Sequence, residues 1–153
     1  LSEKDIKDSE KHIKWLTGKF DVDKSLLEGL FVKDATKISE GDFNVQPDFV
    51  VTETYLGPPL SQIPSKNEIE KNFMEIEENV LGTLERLRET VIVIAVPFYR
   101  SGGRKYFLNN LPEKAKKIGY KTDSFFKSEK RGSLLYFRKD QRVGREIFRL
   151  KAT

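Results

Sequence analysis

The run Val91-Ile92-Val93-Ile94-Ala95-Val96 limits the architecture of this chain more than any other feature. Uninterrupted apolar runs of this kind belong to strands covered on both faces, as in parallel sheets. The run follows the best helical pattern in the chain. From about Lys66 to Arg88, the residues Ile69, Phe73, Ile76, Val80, Leu84 and Leu87 recur at three- and four-residue steps.

The remaining elements alternate in the same way. Leu1-Ser2-Glu3-Lys4-Asp5 reads as a helix start with Ser2 as N-cap. Ile6, Ile13 and Leu16 then share a face, Trp15 reads as a packing residue, His12 reads as a surface residue, and the helix is expected to end near Gly18. Leu30 to Thr36 reads as a short strand entering a polar turn, followed by a polar loop containing Gly41 and Pro47. Asp48 to Glu53 reads as a buried-type strand leaving through Tyr55-Leu56-Gly57-Pro58-Pro59, and Pro58, Pro59 and Pro64 make a rigid, extended loop. A helix is expected over Leu111 to Ile118, closed by Gly119, then extended segments at Tyr120 to Phe126, Ser133 to Arg138 and Gly144 to Leu150. Helices alternating with strands predict an α/β sheet, and the short connections near the end predict an antiparallel C-terminal hairpin closing one edge.

Composition narrows the chemistry. The 153 residues suit one domain, and 37% hydrophobic residues can build a core beneath a surface fed by 34% charged ones. The formal charge of +4 suits a polyanionic partner without a histone-like excess. No cysteine is present, which excludes disulfides, thiolate catalysis and zinc–cysteine sites, and His12 is the only histidine. No carboxylate spacing suggests a metal site. No apolar run approaches membrane-spanning length and the first residues carry no secretory pattern, so the expectation is a cytoplasmic protein without a membrane partner.

The sharpest local signal is Val50-Val51-Thr52-Glu53-Thr54-Tyr55-Leu56-Gly57-Pro58-Pro59. A hydrophobic strand delivers a carboxylate and an aromatic ring to its carboxyl end, where ligands bind in open α/β sheets. This resembles motif IV of amino-methyltransferases, usually Asp/Asn-Pro-Pro-Tyr/Phe. The resemblance implies that Glu53 and a backbone carbonyl accept hydrogen bonds from an exocyclic amine, while an aromatic ring stacks on a base swung out of its stack. The sequence departs from the motif: Glu53 stands for Asp or Asn, Thr54 replaces the first proline, and Tyr55 comes one place early, so that Leu56 occupies the usual ring position.

Two further segments extend the resemblance. Asp34-Ala35 ends the preceding expected strand, as in the third methyltransferase motif, where an acidic side chain takes the adenine amino group of S-adenosylmethionine; read alone, Asp34 is a turn-forming aspartate. Leu134-Leu135-Tyr136-Phe137-Arg138-Lys139-Asp140-Gln141-Arg142-Val143-Gly144-Arg145-Glu146-Ile147 is similar to the tail of the tRNA guanine-N2 methyltransferase family, a strand followed by Arg-Pro-Asp-Gln-x-Val-Gly-Arg-Glu-Ile, with Lys139 in place of the proline. Relatives there carry a motif IV close to Thr-Glu-Pro-Tyr-Leu-Gly-Pro, from which this chain departs only at Thr54. The resemblance implies a partial Rossmann-like methyltransferase sheet, strands three to seven, flanked by helices. It also implies that the first strands and the glycine-rich cofactor loop precede Leu1. S-adenosylmethionine is the cofactor so implied, Asp34 and Ala35 are its contacts, Glu53, Thr54 and Tyr55 form the acceptor site, and RNA (tRNA above all) or DNA is the partner.

Arg100, Arg104 and Lys105, interleaved with Tyr99 and Tyr106, leave the carboxyl end of the Val91 strand beside Gly102-Gly103. They read either as a nucleic-acid contact, with phosphates on the cations and bases on the rings, or as a solvated basic loop. Arg138, Arg142 and Arg145 read equally as nucleic-acid contacts or as local ion-pair partners of Asp140 and Glu146, and Lys114, Lys116 and Lys117 are expected to form a solvated helix face. A sheet lacking its first strands exposes an edge, so a homodimer through that edge is expected. Two other readings remain open: a catalytically inactive nucleic-acid-binding module of the same fold, and an unrelated α/β domain whose basic face binds RNA or an acidic protein.

Overall fold

The computed structural model describes residues 3–21, 33–45, 47–56, 64–87, 90–101, 103–126, 132–139 and 141–153. Ser2, Leu30 to Val32, Gly57 to Pro59, Arg88, Gly102 and Asp140, on which some of the readings above fall, lie outside them. The chain divides into two compact units, Leu1–Lys37 and Ile38–Thr153.

The N-terminal unit contains helix α1 (Glu3–Phe20) and a short 3-10 turn at Ala35–Lys37. Helix α1 runs past Gly18 to Asp21, which takes a left-handed φ of 51° in the manner of a C-terminal cap. His12 is exposed, as expected. Trp15 is not a core residue: it is 58% exposed, with the Lys19 ammonium 4.6 Å from its ring centre. The helical period accounts for this, since two residues at about 100° each turn Trp15 away from half-buried Ile13. The strand expected over Leu30 to Thr36 does not reach its described end. Asp34 Oδ1 accepts hydrogen bonds from the Thr36 amide (3.0 Å) and hydroxyl (2.8 Å), and the chain turns into the 3-10 segment. An aspartate bonding the backbone two residues ahead competes directly with strand pairing.

The C-terminal unit is mixed α/β. Its elements are β1 (Phe49–Glu53), α2 (Lys66–Arg86), β2 (Val91–Ser101), β3 (Arg104–Tyr106), α3 (Leu111–Lys117), β4 (Tyr120–Thr122), β5 (Ser133–Tyr136) and β6 (Val143–Ala152). They form a six-stranded sheet in the order β1-β2-β6-β4. Strands β1 and β2 are parallel, with Phe49 opposite Val91 and Glu53 opposite Ala95. Strand β3 turns back on the far end of β2, while β4 and β5 share the outer side of β6. The β5–β6 pair is the expected antiparallel hairpin, but β6 does not close an edge. It is inserted between β2 and the β4/β5 side and runs antiparallel to β2 from Val91↔Lys151 to Tyr99↔Val143.

Helix α2 begins with a reciprocal cap. The Ser65 amide donates to Glu68 Oε2 (2.7 Å), and Ser65 Oγ accepts from the Glu68 amide (3.4 Å). The Ser65 hydroxyl also donates to Glu68 Oε2 (2.7 Å), and this bond first, with that of the Ser65 amide, holds the Glu68 carboxyl below the usual glutamate range. At the other end the Tyr120 hydroxyl donates to the Leu87 carbonyl, one of the groups a helix terminus leaves unpaired. Ile69, Phe73, Val80 and Leu84 of α2, with Leu111 and Ala115 of α3, cover Ile92, Ile94, Val96, Phe148 and Leu150. Burial of each large apolar side chain contributes about 1.5–3 kcal/mol. Lys114 is not merely solvated: it forms an ion pair from α3 to Glu77 of α2, whose side chain is only 7% exposed. A carboxylate at that depth requires a paired cation.

Both faces of β2 are covered only from Val96 to Tyr99; before that, buried Ile92 and Ile94 alternate with half-buried Val91, Val93 and Ala95. In the fully covered stretch the Phe98 ring stacks on Phe107 (5.1 Å) and meets Phe137 edge-on (5.9 Å). It lies across the β6 backbone at Gly144, where a Cβ would stand 2.4 Å from two of its ring atoms. Glycine is required there by this close approach. Among the described residues, no helix is long and apolar enough to cross a membrane.

Candidate functional site

Strand alternation places Glu53 on the sheet face opposite the helices, at the carboxyl end of β1. Phe49 and Val51 share that face, 68% and 78% exposed. Arg145 reaches the same spot from β6: its Nε lies 2.5 Å from Glu53 Oε1. The local pair of Arg145 with Glu146 does not form. Adjacent residues on a strand point to opposite faces, so Glu146 enters the core, 0% exposed, and accepts a hydrogen bond from Ser133 Oγ at 2.7 Å. Glu53 and Arg145, 44% and 30% exposed, form a partly solvated pair, worth about 0–1 kcal/mol at most. What the pair fixes is orientation: Oε1 is occupied, and Oε2 remains an acceptor.

Thr54 anchors the end of β1. Its amide donates to the Ala95 carbonyl (2.9 Å) and its hydroxyl approaches the same oxygen (3.3 Å). The hydroxyl is therefore committed to strand β2. Tyr55 follows at once, 77% exposed, an aromatic ring beside the carboxylate. Tyr136 stands opposite Arg145 in the β5–β6 register, so a second half-exposed ring shares the face. Its hydroxyl accepts a hydrogen bond from Arg138 Nε (3.4 Å), and this arginine, with a smaller effect from Arg145, holds the phenol below its usual range. Neither Arg145 nor Tyr136 stood out as an acceptor-site residue in the sequence. Strict alternation through Val143 to Leu150 was the available signal, since it separates Arg145 from Glu146.

Asp34 and Ala35 belong to the N-terminal unit. Asp34 Oδ1 is held by Thr36, and Oδ2 lies 3.8 Å from the Lys37 ammonium. Among the described residues, no group of three or more His, Cys, Asp and Glu side chains could hold a metal ion.

Arg100, Arg104 and Lys105 come together at the carboxyl end of β2. With Ser101 and Gly103 they line a cavity of about 270 Å³, whose other wall is the β5–β6 turn: Lys139, Gln141 and Arg142. The Arg100 amide donates to the Arg142 carbonyl (2.8 Å), tying the two turns together. Beneath them lies Phe137, with the Arg100 guanidinium 4.5 Å and the Lys105 ammonium 5.0 Å from its ring centre. Arg100 Nη1 is buried and has no hydrogen-bond partner among the described residues. Tyr99 cannot serve as the stacking ring expected of it. It is 3% exposed, packs against Phe73 at 5.5 Å, and its hydroxyl accepts from Asn72. Tyr106 is half-buried. The carboxyl end of the β1–β2 pair thus carries two arrangements: an arginine-held, partly exposed carboxylate followed in the chain by the exposed Tyr55, and a basic cleft beyond it.

No family model matches this chain, and no curated protein or solved structure matches it.

Proposed function

We propose that the chain carries the acceptor side of an S-adenosylmethionine-dependent methyltransferase of Rossmann-like fold acting on an exocyclic amine of a nucleic-acid base, guanine-N2 of tRNA above all. The observation that carries the reading is the Glu53–Arg145 pair. The two segments with the strongest resemblance to the tRNA guanine-N2 methyltransferase family lie far apart in sequence, and they meet in this one contact. The parallel β1–β2 pair with its α2 connection, followed by an antiparallel C-terminal hairpin, supports the same reading.

The roles are those the resemblance implies for these residues. Glu53 Oε2 and the Thr54 carbonyl accept hydrogen bonds from the target amine and orient its lone pair, so the gain is one of positioning. Tyr55 offers its exposed ring to the unstacked base, and Tyr136 borders the same face. S-adenosylmethionine supplies the electrophilic methyl group when bound. Asp34 and Ala35 are the residues to which the resemblance assigns its adenine. Arg100, Arg104 and Lys105 face the nucleic acid.

A second reading is a nucleic-acid-binding module of the same fold without turnover. Two features favour it: both acidic residues assigned to the chemistry are already engaged, Glu53 by Arg145 and Asp34 by its own turn.

Transfer of a labelled methyl group to unmodified tRNA, followed by nucleoside analysis, separates the two. Where the glycine-rich cofactor loop is supplied ahead of Leu1, the expected result is N2-methylguanosine with the wild-type sequence, loss of transfer in Glu53→Ala with cofactor and RNA binding retained, and reduced transfer in Arg145→Ala; without that loop this chain is expected to bind S-adenosylmethionine weakly and to transfer nothing. Unchanged turnover in Glu53→Ala would remove Glu53 from the mechanism. RNA binding without any transfer, with the loop supplied, would establish the second reading.

A further inference from the structure

We propose that the cleft between the β2–β3 and β5–β6 turns is a phosphate-binding site that grips the backbone of the acceptor strand and sets its register on Glu53. The inference rests on the nucleic-acid reading above and assigns Lys139, Gln141 and Arg142 a part in it. Three observations carry it.

The first is charge. Arg100, Arg104, Lys105 and Lys139 gather their positive charge in one cavity beside Gln141 and Arg142, and Asp140 of that wall lies outside the described residues. Gathering like charges in one concavity is unfavourable in isolation and is relieved by an anion. Arg104, Lys105 and Lys139 form no ion pair among the described residues.

The second is preorganisation. Phe137 forms a floor over which Arg100 and Lys105 are held, and the Arg100–Arg142 backbone bond fixes the distance between the two walls. Arg100 Nη1 is buried with no hydrogen-bond partner among the described residues, a donor costly to leave unmade, and a shift of its guanidinium towards the cleft would pair it with a phosphate oxygen. Guanidinium groups match phosphate oxygens in fork geometry, and Gln141 adds an amide for a neutral oxygen of the ester.

The third is placement. Strand β2 passes Glu53 at Ala95 and reaches the cleft at Arg100, about five strand residues or roughly 17 Å further along. A nucleic-acid strand held by a phosphate in the cleft can present a base two or three nucleotides away to Glu53 and Tyr55. Phosphate contacts of this kind fix register without reading sequence.

The test is RNA binding by fluorescence anisotropy, using a labelled tRNA transcript across a salt series from about 50 to 200 mM. Arg104→Ala combined with Lys139→Ala removes two exposed cations from opposite walls without touching the core. Lys116→Ala with Lys117→Ala removes the same charge from the exposed face of α3 as a control. The expected result is a loss of affinity of about tenfold and a salt slope shallower by about two in the first double variant, with the control close to wild type. Equal behaviour of the two double variants would overturn the site and leave the acceptor reading standing. Displacement of the RNA by inorganic phosphate at concentrations matched to the RNA phosphates would overturn the strand backbone as the source of the anion. If the wild-type chain bound no RNA, the acceptor reading itself would fall.

Discussion

The two faces of the C-terminal sheet are built from the same strands and differ in almost everything else. On one face Ile92, Ile94, Val96, Phe148 and Leu150 are sealed beneath α2 and α3. On the other, Phe49 and Val51 are exposed and the charged residues are paired across strands, Glu53 with Arg145 and Asp123 with Arg149 (2.6 Å). A single step along β6 crosses from one regime to the other: Arg145 holds the candidate acceptor carboxylate, and Glu146 is a core residue bonded to Ser133. The lesson is that residue type alone does not decide role on a strand; parity does. The segment with the strongest family resemblance is therefore a mixed one, half of it maintaining the fold and half of it serving the site.

The contrast can be tested most strongly by truncation. Phe148→Ala empties a fully packed position and should cost about 3–5 kcal/mol in denaturant unfolding, whereas Phe49→Ala on the exposed face should stay within about 0.5 kcal/mol. Comparable losses would mean that the second face is covered as tightly as the first. Gly144→Ala is next. Its new methyl group collides with the buried Phe98 ring, and overpacking of this kind costs about 1–3 kcal/mol. A wild-type melting temperature for that variant would show that the Phe98 ring yields, and would leave Gly144 without a packing reason.

The smallest effect lies at the start of α2. The Glu68 carboxyl is held below the usual glutamate range, so the folded state binds its proton less readily than the unfolded one. The stabilisation is fully present above the unfolded glutamate pKa and is lost as pH falls through the lowered folded value. Thermal melts of wild type and Ser65→Ala should therefore differ most at neutral pH, and the gap should narrow well below about pH 4 to what the Ser65 Oγ–Glu68 amide bond leaves. A constant offset at all pH values would show that the ionised carboxylate does not matter to the cap.

Much of the fold was legible because it depends on local pattern. The period of α2, the apolar run of β2 and the delivery of Glu53 to a strand end follow from residues close together in sequence. So does the cap at Ser65, which the Ser-Lys-Asn-Glu spelling announces. What escaped depends on long-range pairing or on competition. The interior place of β6 is decided by which edges remain available when it docks, and no periodicity records that. The Glu53–Arg145 contact joins strands on either side of β2. At Asp34, apolar neighbours argued for a strand, but the side chain's own bonds to Thr36 won over two or three residues. Trp15 reads as core or helix-packing beside the apolar face, although its helical phase turns it away from Ile13. The basic loop was visible as charge, yet its second wall, Lys139 to Arg142, required the hairpin to fold back.

The interior position of β6 also bears on how the sheet is made. Its partners β2, β4 and β5 all precede it in the chain, so during synthesis each waits with an unsatisfied edge for a neighbour not yet produced. Pairings of such long sequence separation slow folding and prolong the exposure of apolar strands such as β2. The site inherits that schedule. Arg145 and the second wall of the cleft arrive with or just before β6, so Glu53 acquires its partner only in the last step of assembly. A nascent chain that has folded α2 onto β1 and β2 is thus still unable to orient the carboxylate, and the Glu53–Arg145 pair appears together with completion of the sheet.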